Sequence, residues 1–330
     1  MHYDVFNGDA DGIIALLQLR LSTQVSQPTT AVFITGVKRD ISLLKQVDIN
    51  LAKSVTVLDI SLEKNNQALI QLLEKKVDVF YVDHHRTGDI PTSKHLQSLF
   101  DTDANICTSL LVNKHLKNEF VAWAITAAFG DNMHKAAKDL SEKMGLTVAQ
   151  QSLLAELGTY INYNGYGANV EDLHFHPADL FKELSAYADP FDLINEQNSI
   201  FSQLKKAYLT DMAKANNAEI LTDNEQVKVV LLADEAWARR VSGVFGNELA
   251  NVSPNKAHIV LTLNANKKTD NYNKNSYTVS LRAPLNNKQG AGDLCVKFPT
   301  GGGRAAAAGI NALPVEMLGD FIHSVSEYYE

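Results

Sequence analysis

Short apolar runs alternate with amphipathic stretches through the first third of the chain. Four runs indicate β-strands, each followed by polar residues: Tyr3–Phe6, Ala31–Val37, Val55–Ile60 and Val77–Val82. Helical periodicity separates these strands at Gly12–Leu21, Leu43–Asn50 and Asn65–Lys75. Such an alternation predicts a parallel sheet covered by helices, the α/β class.

The pattern changes twice further along the chain. Residues 105–163 are helical in pattern, and Pro190–Asn217 indicates a polar helix between two units. A second alternation then begins, with strands predicted at Val227–Ala233, Ala257–Leu263 and Ser276–Arg282 and a helix near Gly243–Asn251. We therefore predict two α/β domains, 1–190 and a smaller 218–330, joined by a helical linker over 191–217.

Three local predictions complete the second domain. Asn264–Asn275 is polar enough to form an exposed hairpin turn. The glycine-rich loop Thr300–Gly303 is expected to open a helix of small residues, and Pro314–Tyr328 is expected to form the last helix.

Composition narrows the functional classes. Apolar residues make up 45% of the 330 residues and charged residues 21%, as in soluble globular proteins. No apolar run reaches the roughly 18 residues of a membrane span, and the N-terminus does not resemble a secretory signal. With only two cysteines, Cys107 and Cys295, we expect a reducing cytoplasmic location and no disulfide framework. The net charge of −8 argues against long nucleic acid as a stable partner.

Acidic residues follow the predicted strands. Asp9 and Asp11 come after the first strand, Asp59 ends the third, and Asp83-His84-His85 follows the fourth. The carboxyl ends of parallel strands lie at one edge of a sheet, where ligands bind, so these side chains should converge. Asp131, after an apolar helix, is a fourth candidate.

Four carboxylates in one place would repel each other and raise one another's pKa values. Two divalent cations would neutralise them. Oxygen ligands with one or two imidazoles favour Mn²⁺, with Mg²⁺ as the alternative, over Zn²⁺. Each motif taken alone has a simpler interpretation as a turn, a helix cap or a surface histidine. His174, His176 and Cys107 are interpreted as structural.

At this point the sequence resembles a family. N-G-D-A-D-G at 7–12, Asp59, Asp83-His84-His85 and Gly130-Asp131 resemble the four motifs of the DHH phosphoesterases. V-S-L-R at 279–282 and G-G-G-R-A-A-A-A-G at 301–309 resemble the associated substrate-binding domain of the oligoribonuclease and phosphoadenosine-phosphatase branch. The resemblance implies a two-metal, usually manganese-dependent phosphoesterase whose catalytic cleft lies between the two domains.

The resemblance also implies roles for individual residues. It gives one metal ion the ligands Asn7, Asp9 and Asp59, and the other ion the ligands Asp11, Asp59, His84 and Asp131. Asp59 bridges the two ions, and His85 contacts a phosphoryl oxygen in the transition state. Arg282 and Arg304 hold the substrate, while the backbone of Gly301, Gly302 and Gly303 approaches a phosphate. The alternatives are a tight turn for the glycines and an ion pair with Asp320 for Arg304.

Two positions depart from the family pattern. Asn7 stands where the family has His or Asp, and Arg304 stands where it has His. We expect hydrolysis of short substrates, namely 5′-phosphorylated dinucleotides, such as linear products of cyclic dinucleotides, or nanoRNA. The alternatives are 3′-phosphoadenosine 5′-phosphate dephosphorylation and a nucleotide-binding sensor without hydrolysis. No membrane partner is expected, and a homodimer stays open.

Overall fold

The computed structural model describes residues 1–22, 30–103, 105–264 and 276–330. They form two compact units, Met1–Ala207 and Tyr208–Glu330, and the division falls inside the predicted 191–217 linker. The linker range is helical, with a short helix at Pro190–Asn195 and a long one at Ile200–Asn216. None of the described helices combines the length and the hydropathy that a membrane crossing requires.

The first unit is built on a five-stranded parallel sheet. Its strands are β1 (His2–Phe6), β2 (Ala31–Ile34), β3 (Ser54–Leu58), β4 (Asp78–Asp83) and β5 (Leu96–Phe100). The spatial order is β2-β1-β3-β4-β5, so the order reverses at β1. A reversal of this kind opens a crevice beyond the carboxyl ends of β1 and β3.

Helices surround this sheet. They are α1 (Ala10–Leu21), α2 (Leu62–Glu74), α3 (Thr108–His115), α4 (Val121–Gly130), α5 (His134–Lys143), α6 (Val148–Asn164), α7 (Pro177–Leu184), α8 (Pro190–Asn195) and α9 (Ile200–Asn216). Helix α1 is buried from Ala10 to Leu19, because α3, α4, α6 and α7 all pack against it. The loop that precedes α1 is thereby fixed to the centre of the unit.

The second unit contains a six-stranded mixed sheet. Its elements are β6 (Glu219–Asp223), β7 (Val227–Leu232), α10 (Ala236–Val252), β8 (Ala257–Asn264), β9 (Ser276–Arg282), α11 (Ala291–Cys295), β10 (Gly301–Gly303), β11 (Ala307–Pro314) and α12 (Leu318–Tyr328). The order is β10-β11-β9-β8-β7-β6, and among the described strands of this sheet only β7 and β8 pair in parallel. The two-domain α/β prediction is confirmed, with a mostly antiparallel second sheet.

One predicted helix differs from the structure, one strand was not predicted, and one predicted turn falls outside the described residues. The predicted helix Leu43–Asn50 is a single 3-10 turn at Leu44–Gln46, where the Asn65 side chain accepts a hydrogen bond from the Leu44 amide. Strand β5, with no predicted counterpart, is short and mixed in polarity (LQSLF). The exposed turn predicted for Asn264–Asn275 lies beyond Asn264 outside the described residues.

The predicted helix after Gly303 is wrong. Ala307 and Ala308 lie in β11, which pairs with both β10 and β9. Alanine is a strong helix former, but the run lies against a strand edge where small side chains permit close approach. Gly309 shows this crowding, because a Cβ added there would lie 2.7 Å from the Val279 carbonyl oxygen.

His258 lies on β8 and is fully buried. Neither of its ring nitrogens makes a hydrogen bond with any described residue. Burial, together with the charges of Lys228 and Lys256, lowers the pKa of His258 to about 4. The ring therefore stays neutral in the folded unit at neutral pH.

We expect His258 to make the second unit sensitive to acid. Between pH 6.5 and about 4, His258 is protonated in the unfolded state but neutral in the folded state. The free energy of unfolding is therefore highest above pH 6.5 and decreases as the pH falls through this range. From pH 7.5 to 5.0 this loss amounts to ~2 kcal/mol, and His258→Leu should remove it. Urea unfolding in a Trp123→Phe background, which leaves Trp237 on α10 as the remaining tryptophan, would measure it. An identical pH dependence in His258→Leu would contradict the prediction.

Candidate metal centre

The motif residues of the first unit meet at the carboxyl edge of its sheet. Two groups of side chains have ligand atoms within 4.8 Å of one another: Asp11, His84 and Asp131 in one, and Asp59, His84 and His85 in the other. Asp11 begins α1 after β1, Asp59 follows β3, and the two histidines follow β4. Asp131 caps the C-terminus of α4. The convergence expected from the strand ends is thus present in the structure.

Asp9 and Asp11 are held by helix N-termini. Asp9 is the N-cap of α1, where its Oδ1 accepts hydrogen bonds from the amides of Asp11 (3.0 Å) and Gly12 (3.1 Å). Asp11 accepts from the amides of Thr108 (2.8 Å) and Ser109 (2.7 Å) at the start of α3. These amide hydrogen bonds at the two helix N-termini fix the orientation of both carboxylates.

Asp59 has an unusual backbone and a perturbed carboxyl group. Its φ is +59°, a left-handed conformation that Asp and Asn tolerate better than most residues. Thr108 Oγ1 donates a hydrogen bond to Asp59 Oδ1 at 3.0 Å. Burial, followed by the charges of Asp11 and Asp9, raises the pKa of Asp59 well above its usual value. A group in this condition gains most from a nearby cation.

His84 is oriented with one ring nitrogen toward the carboxylates. Its Nδ1 lies 2.9 Å from the Ile106 carbonyl oxygen and must donate to it, which leaves the lone pair of the neutral ring on Nε2. That Nε2 lies 3.5 Å from Asp59 Oδ1, 3.8 Å from Asp131 Oδ2 and 3.9 Å from Asp11 Oδ2. His84 thus belongs to two overlapping groups of possible ligands, one with Asp11 and Asp131 and the other with Asp59 and His85. This donor set fits Mn²⁺ or Mg²⁺.

His85 lies beside the same carboxylates but is oriented by Asp83. Its Nδ1 lies 2.8 Å from Oδ1 of the fully buried Asp83, and almost half of its side chain is exposed. Burial alone would lower the pKa of His85, but the hydrogen bond and charge of Asp83 raise it above the usual value. His85 is therefore suited to donate a hydrogen bond to an anion.

Lys38 is a member of this site that the sequence analysis missed. It follows β2, and its Nζ lies 2.5 Å from Asp9 Oδ2, 3.3 Å from Asp131 Oδ1 and 3.3 Å from Asn162 Oδ1. Burial alone would lower the pKa of Lys38, but Asp9 and Asp131 raise it well above its usual value. Its position after a strand was the available signal, because β2 ends at the same edge as β1 and β3.

Asn7 is placed beside the loop but is engaged by protein. Its Oδ1 accepts from the Asp9 amide at 3.2 Å, and its Nδ2 donates to the Lys38 carbonyl oxygen at 3.2 Å. The structure therefore gives Asn7 a role in joining the loop after β1 to the loop after β2.

The predicted substrate residues of the second unit lie near one end of the β9–β11 pair. Arg282 pairs in register with Ala307, and its guanidinium donates to Asn247 Oδ1, Ser280 Oγ and the Gly243 carbonyl oxygen. Arg304 is exposed in the turn between β10 and β11. Gly301, Gly302 and Gly303 form β10, so they do not begin a helix.

The residues interpreted as structural have internal partners. His174 Nε2 lies 2.8 Å from the Tyr163 hydroxyl, and His176 Nδ1 accepts from the Ala178 amide at the start of α7. Cys107 is fully buried, and burial raises the pKa of its thiol well above the usual value. Each of the two histidines thus has a partner within the first unit, and the burial of Cys107 favours the thiol over the thiolate.

Comparisons with known proteins identify the fold. No family model matches the sequence, and no curated protein matches it. A solved member of the s1p family of ribosomal proteins, described as a DHH domain, has a TM-score of 0.62 at 11% identity over 99% of this chain and 86% of that chain. The chain has the DHH phosphoesterase fold.

Two further structures with this fold have a described activity or ligand. Exonuclease RecJ bound to manganese has a TM-score of 0.56 at 15% identity, over 99% of this chain and 89% of that one. PggH from Vibrio cholerae, a pGpG-specific phosphodiesterase, has a TM-score of 0.54 at 11% identity, over 100% of this chain and 99% of that one. At these identities the likeness establishes the DHH fold alone.

Proposed function

We propose that this protein is a metal-dependent phosphodiesterase that hydrolyses very short nucleotide substrates to mononucleotides. The observation that carries the proposal is the orientation of His84 Nε2 toward Asp11, Asp59 and Asp131. A divalent ion held there supplies Lewis acidity to a phosphoryl group. Mn²⁺ is the proposed ion, supported by its presence in the RecJ structure.

The residues around the ion have separate tasks in this proposal. Asp11 and Asp131 bind the ion, and the amides at the start of α3 keep Asp11 oriented. His85, held through Nδ1 by Asp83, presents Nε2 to a phosphoryl oxygen and stabilises the charge that develops there. Because His85 is almost half exposed, a substrate reaches it without displacing a buried side chain.

Two considerations support a short substrate. The chain has a net charge of −8, so it lacks the excess of basic residues with which proteins bind the backbone of long nucleic acid. PggH, which shares the fold over nearly its whole length, is described as specific for the dinucleotide pGpG. Exposed Arg304 is the proposed contact for a second phosphate of the substrate, since a guanidinium donates in bidentate fashion. Arg282, whose donors are engaged by α10 and β9, is proposed to support that end of the sheet.

The test is a mass-spectrometric assay on the purified full chain with MnCl₂. We expect a 5′-phosphorylated dinucleotide to be hydrolysed with kcat/KM at least about tenfold above that of a 20-mer, a difference of ~1.4 kcal/mol. Chelation should abolish turnover. Comparable kcat/KM on both substrates would contradict the short-substrate proposal. Tight nucleotide binding without turnover in MnCl₂ or MgCl₂ would favour a sensor instead.

Including 3′-phosphoadenosine 5′-phosphate in the same assay separates the two enzymatic alternatives. Preferential release of inorganic phosphate from it would favour a phosphomonoesterase over the proposed phosphodiesterase. We expect the dinucleotide to be hydrolysed to mononucleotides and 3′-phosphoadenosine 5′-phosphate to remain intact.

A further inference from the structure

The backbone of Lys38 is fixed on both sides of the residue. Its amide donates to the Gly165 carbonyl oxygen at 2.8 Å, and its own carbonyl oxygen accepts from Asn7 Nδ2 at 3.2 Å. The preceding amide, of Val37, donates to Asp40 Oδ2 at 3.0 Å. The lysine side chain is therefore directed into the carboxylate cluster by the fold, because its main chain is tied to α6 and to the loop after β1.

The oxygens around the Lys38 ammonium group are of the kind that bind a divalent metal ion. Three oxygens surround Nζ, from Asp9, Asp131 and Asn162, at 2.5 to 3.3 Å. Carboxylate and amide oxygens are the donors that hard divalent cations use. An ion bound by Asp9 Oδ2 and Asp131 Oδ1 would have to share this position with the positive charge of Lys38.

The ligands that the family resemblance gives to the first ion, Asn7, Asp9 and Asp59, all accept hydrogen bonds within the protein. Asn7 Oδ1 accepts from the Asp9 amide, and Asp9 Oδ1 accepts from the amides of Asp11 and Gly12. In contrast, His84 Nε2 faces Asp11, Asp59 and Asp131. Among the described residues, these carboxylates are its nearest polar contacts. Asp9 Oδ2, which accepts neither of the amide hydrogen bonds from Asp11 and Gly12, is the oxygen that Lys38 Nζ contacts.

Repulsion between cations weighs against a second ion at Asp9. Asp9, Asp11, Asp59 and Asp131 carry four negative charges. One divalent ion with Lys38 leaves a net charge of −1 and two ions with Lys38 leave +1, but the second ion would have to lie directly against the ammonium group that contacts Asp9.

We propose that the Lys38 ammonium replaces the first metal ion of the DHH site, so that the protein binds a single divalent ion through Asp11, Asp59, His84 and Asp131. Lys38 then acts as a permanent second cation, held where its Nζ lies between Asp9 and Asp131. The inference rests on the proposed metal-dependent function. It differs from the two-ion site that the sequence analysis predicts.

The number of ions bound per chain tests this proposal directly. Metal-free full-length protein is titrated with MnCl₂ alone, with bound Mn²⁺ counted by elemental analysis after desalting and its environment followed by electron paramagnetic resonance. We expect one Mn²⁺ in wild type, with the spectrum of an isolated ion. Lys38→Ala should bind two ions with a spin-coupled spectrum, because ions that share a two-metal site lie ~3.5–4 Å apart.

Lys182→Ala is the matched control. Lys182 pairs with Asp179 on the surface of α7 in the same unit, so its removal deletes an equivalent ion pair away from the cluster. The control should bind one ion, as wild type does. Two ions in wild type would overturn the proposal, and so would a folded Lys38→Ala protein that binds one ion.

The wild-type count keeps the test decisive if Lys38→Ala does not fold. Two ions in wild type together with Mn²⁺-dependent hydrolysis would overturn the single-ion inference and leave the proposed function intact. No bound ion, with no hydrolysis, would overturn the proposed function and the inference with it.

Discussion

Asp59→Asn should reduce kcat by roughly a thousandfold, ~4 kcal/mol, without unfolding the protein. The carboxylate lies 3.5 Å from His84 Nε2, and its pKa is raised by burial and by Asp11 and Asp9. Asparagine removes the negative charge that an ion needs there. It keeps the side-chain shape, tolerates the φ of +59°, and retains an oxygen to accept from Thr108 Oγ1.

The measurement is kcat on a 5′-phosphorylated dinucleotide at saturating MnCl₂, together with Mn²⁺ binding. Asp48→Asn is the matched control, because Asp48 is exposed in the same unit and away from the strand ends that carry the site. The control should retain wild-type turnover. If Asp59→Asn keeps more than about a tenth of the wild-type kcat, a loss under ~1.4 kcal/mol, Asp59 does not hold the ion.

The same substitution has an opposite effect on the metal-free protein. The raised pKa of Asp59 means that its ionised form opposes folding at neutral pH when no cation is bound. Asp59→Asn should therefore unfold at the same or a higher urea concentration than wild type in the presence of a chelator. A lower unfolding midpoint would attribute the loss of activity to damage of the fold.

The sequence predicted this part of the molecule well, for a physical reason. A strand buried on both faces leaves a clear apolar run, and the residues directly after it lie at one edge of a parallel sheet. Asp9, Asp11, Asp59 and His84 could thus be placed together from their positions alone. Asp131 joined them because it ends a nearly all-apolar helix, and such a helix is buried beside the sheet.

Other features depend on contacts that the local pattern does not contain. Lys38 looks like an ordinary charged residue after a strand, and only the hydrogen bonds with Gly165 and Asn7 direct it inward. The alanines after Arg304 have a helical propensity, and their pairing with β9 outweighs it. His258 occupies an apolar strand pattern, and the sequence around it does not show that its ring nitrogens lack hydrogen-bond partners among the described residues.

The second prediction with a large expected effect concerns Gly8, which lies where the loop after β1 contacts the loop after β2. A Cβ added at Gly8 would lie 1.8 Å from the Gly36 carbonyl oxygen and 2.7 Å from Pro177 Cγ. The loop after β1, which carries Asp9, would have to separate from the loop after β2, which carries Lys38. Since backbone cannot move aside as a flexible side chain does, Gly8→Ala should cost roughly 3 kcal/mol of unfolding free energy and weaken Mn²⁺ binding at least about tenfold.

Gly145→Ala separates this steric effect from backbone conformation. Gly145 has a φ of +70°, and a Cβ there would have no neighbour within 4 Å, so alanine meets an unfavourable dihedral in open space. Its expected cost is ~1 kcal/mol, with Mn²⁺ binding unchanged. Urea unfolding and Mn²⁺ titration of both variants decide the matter. Equal destabilisation of the two variants, or an unchanged Mn²⁺ affinity in Gly8→Ala, would contradict the prediction. Either result would mean that the two loops separate without disturbing the carboxylates, so that the close approach of Gly8 and Gly36 does not position the site.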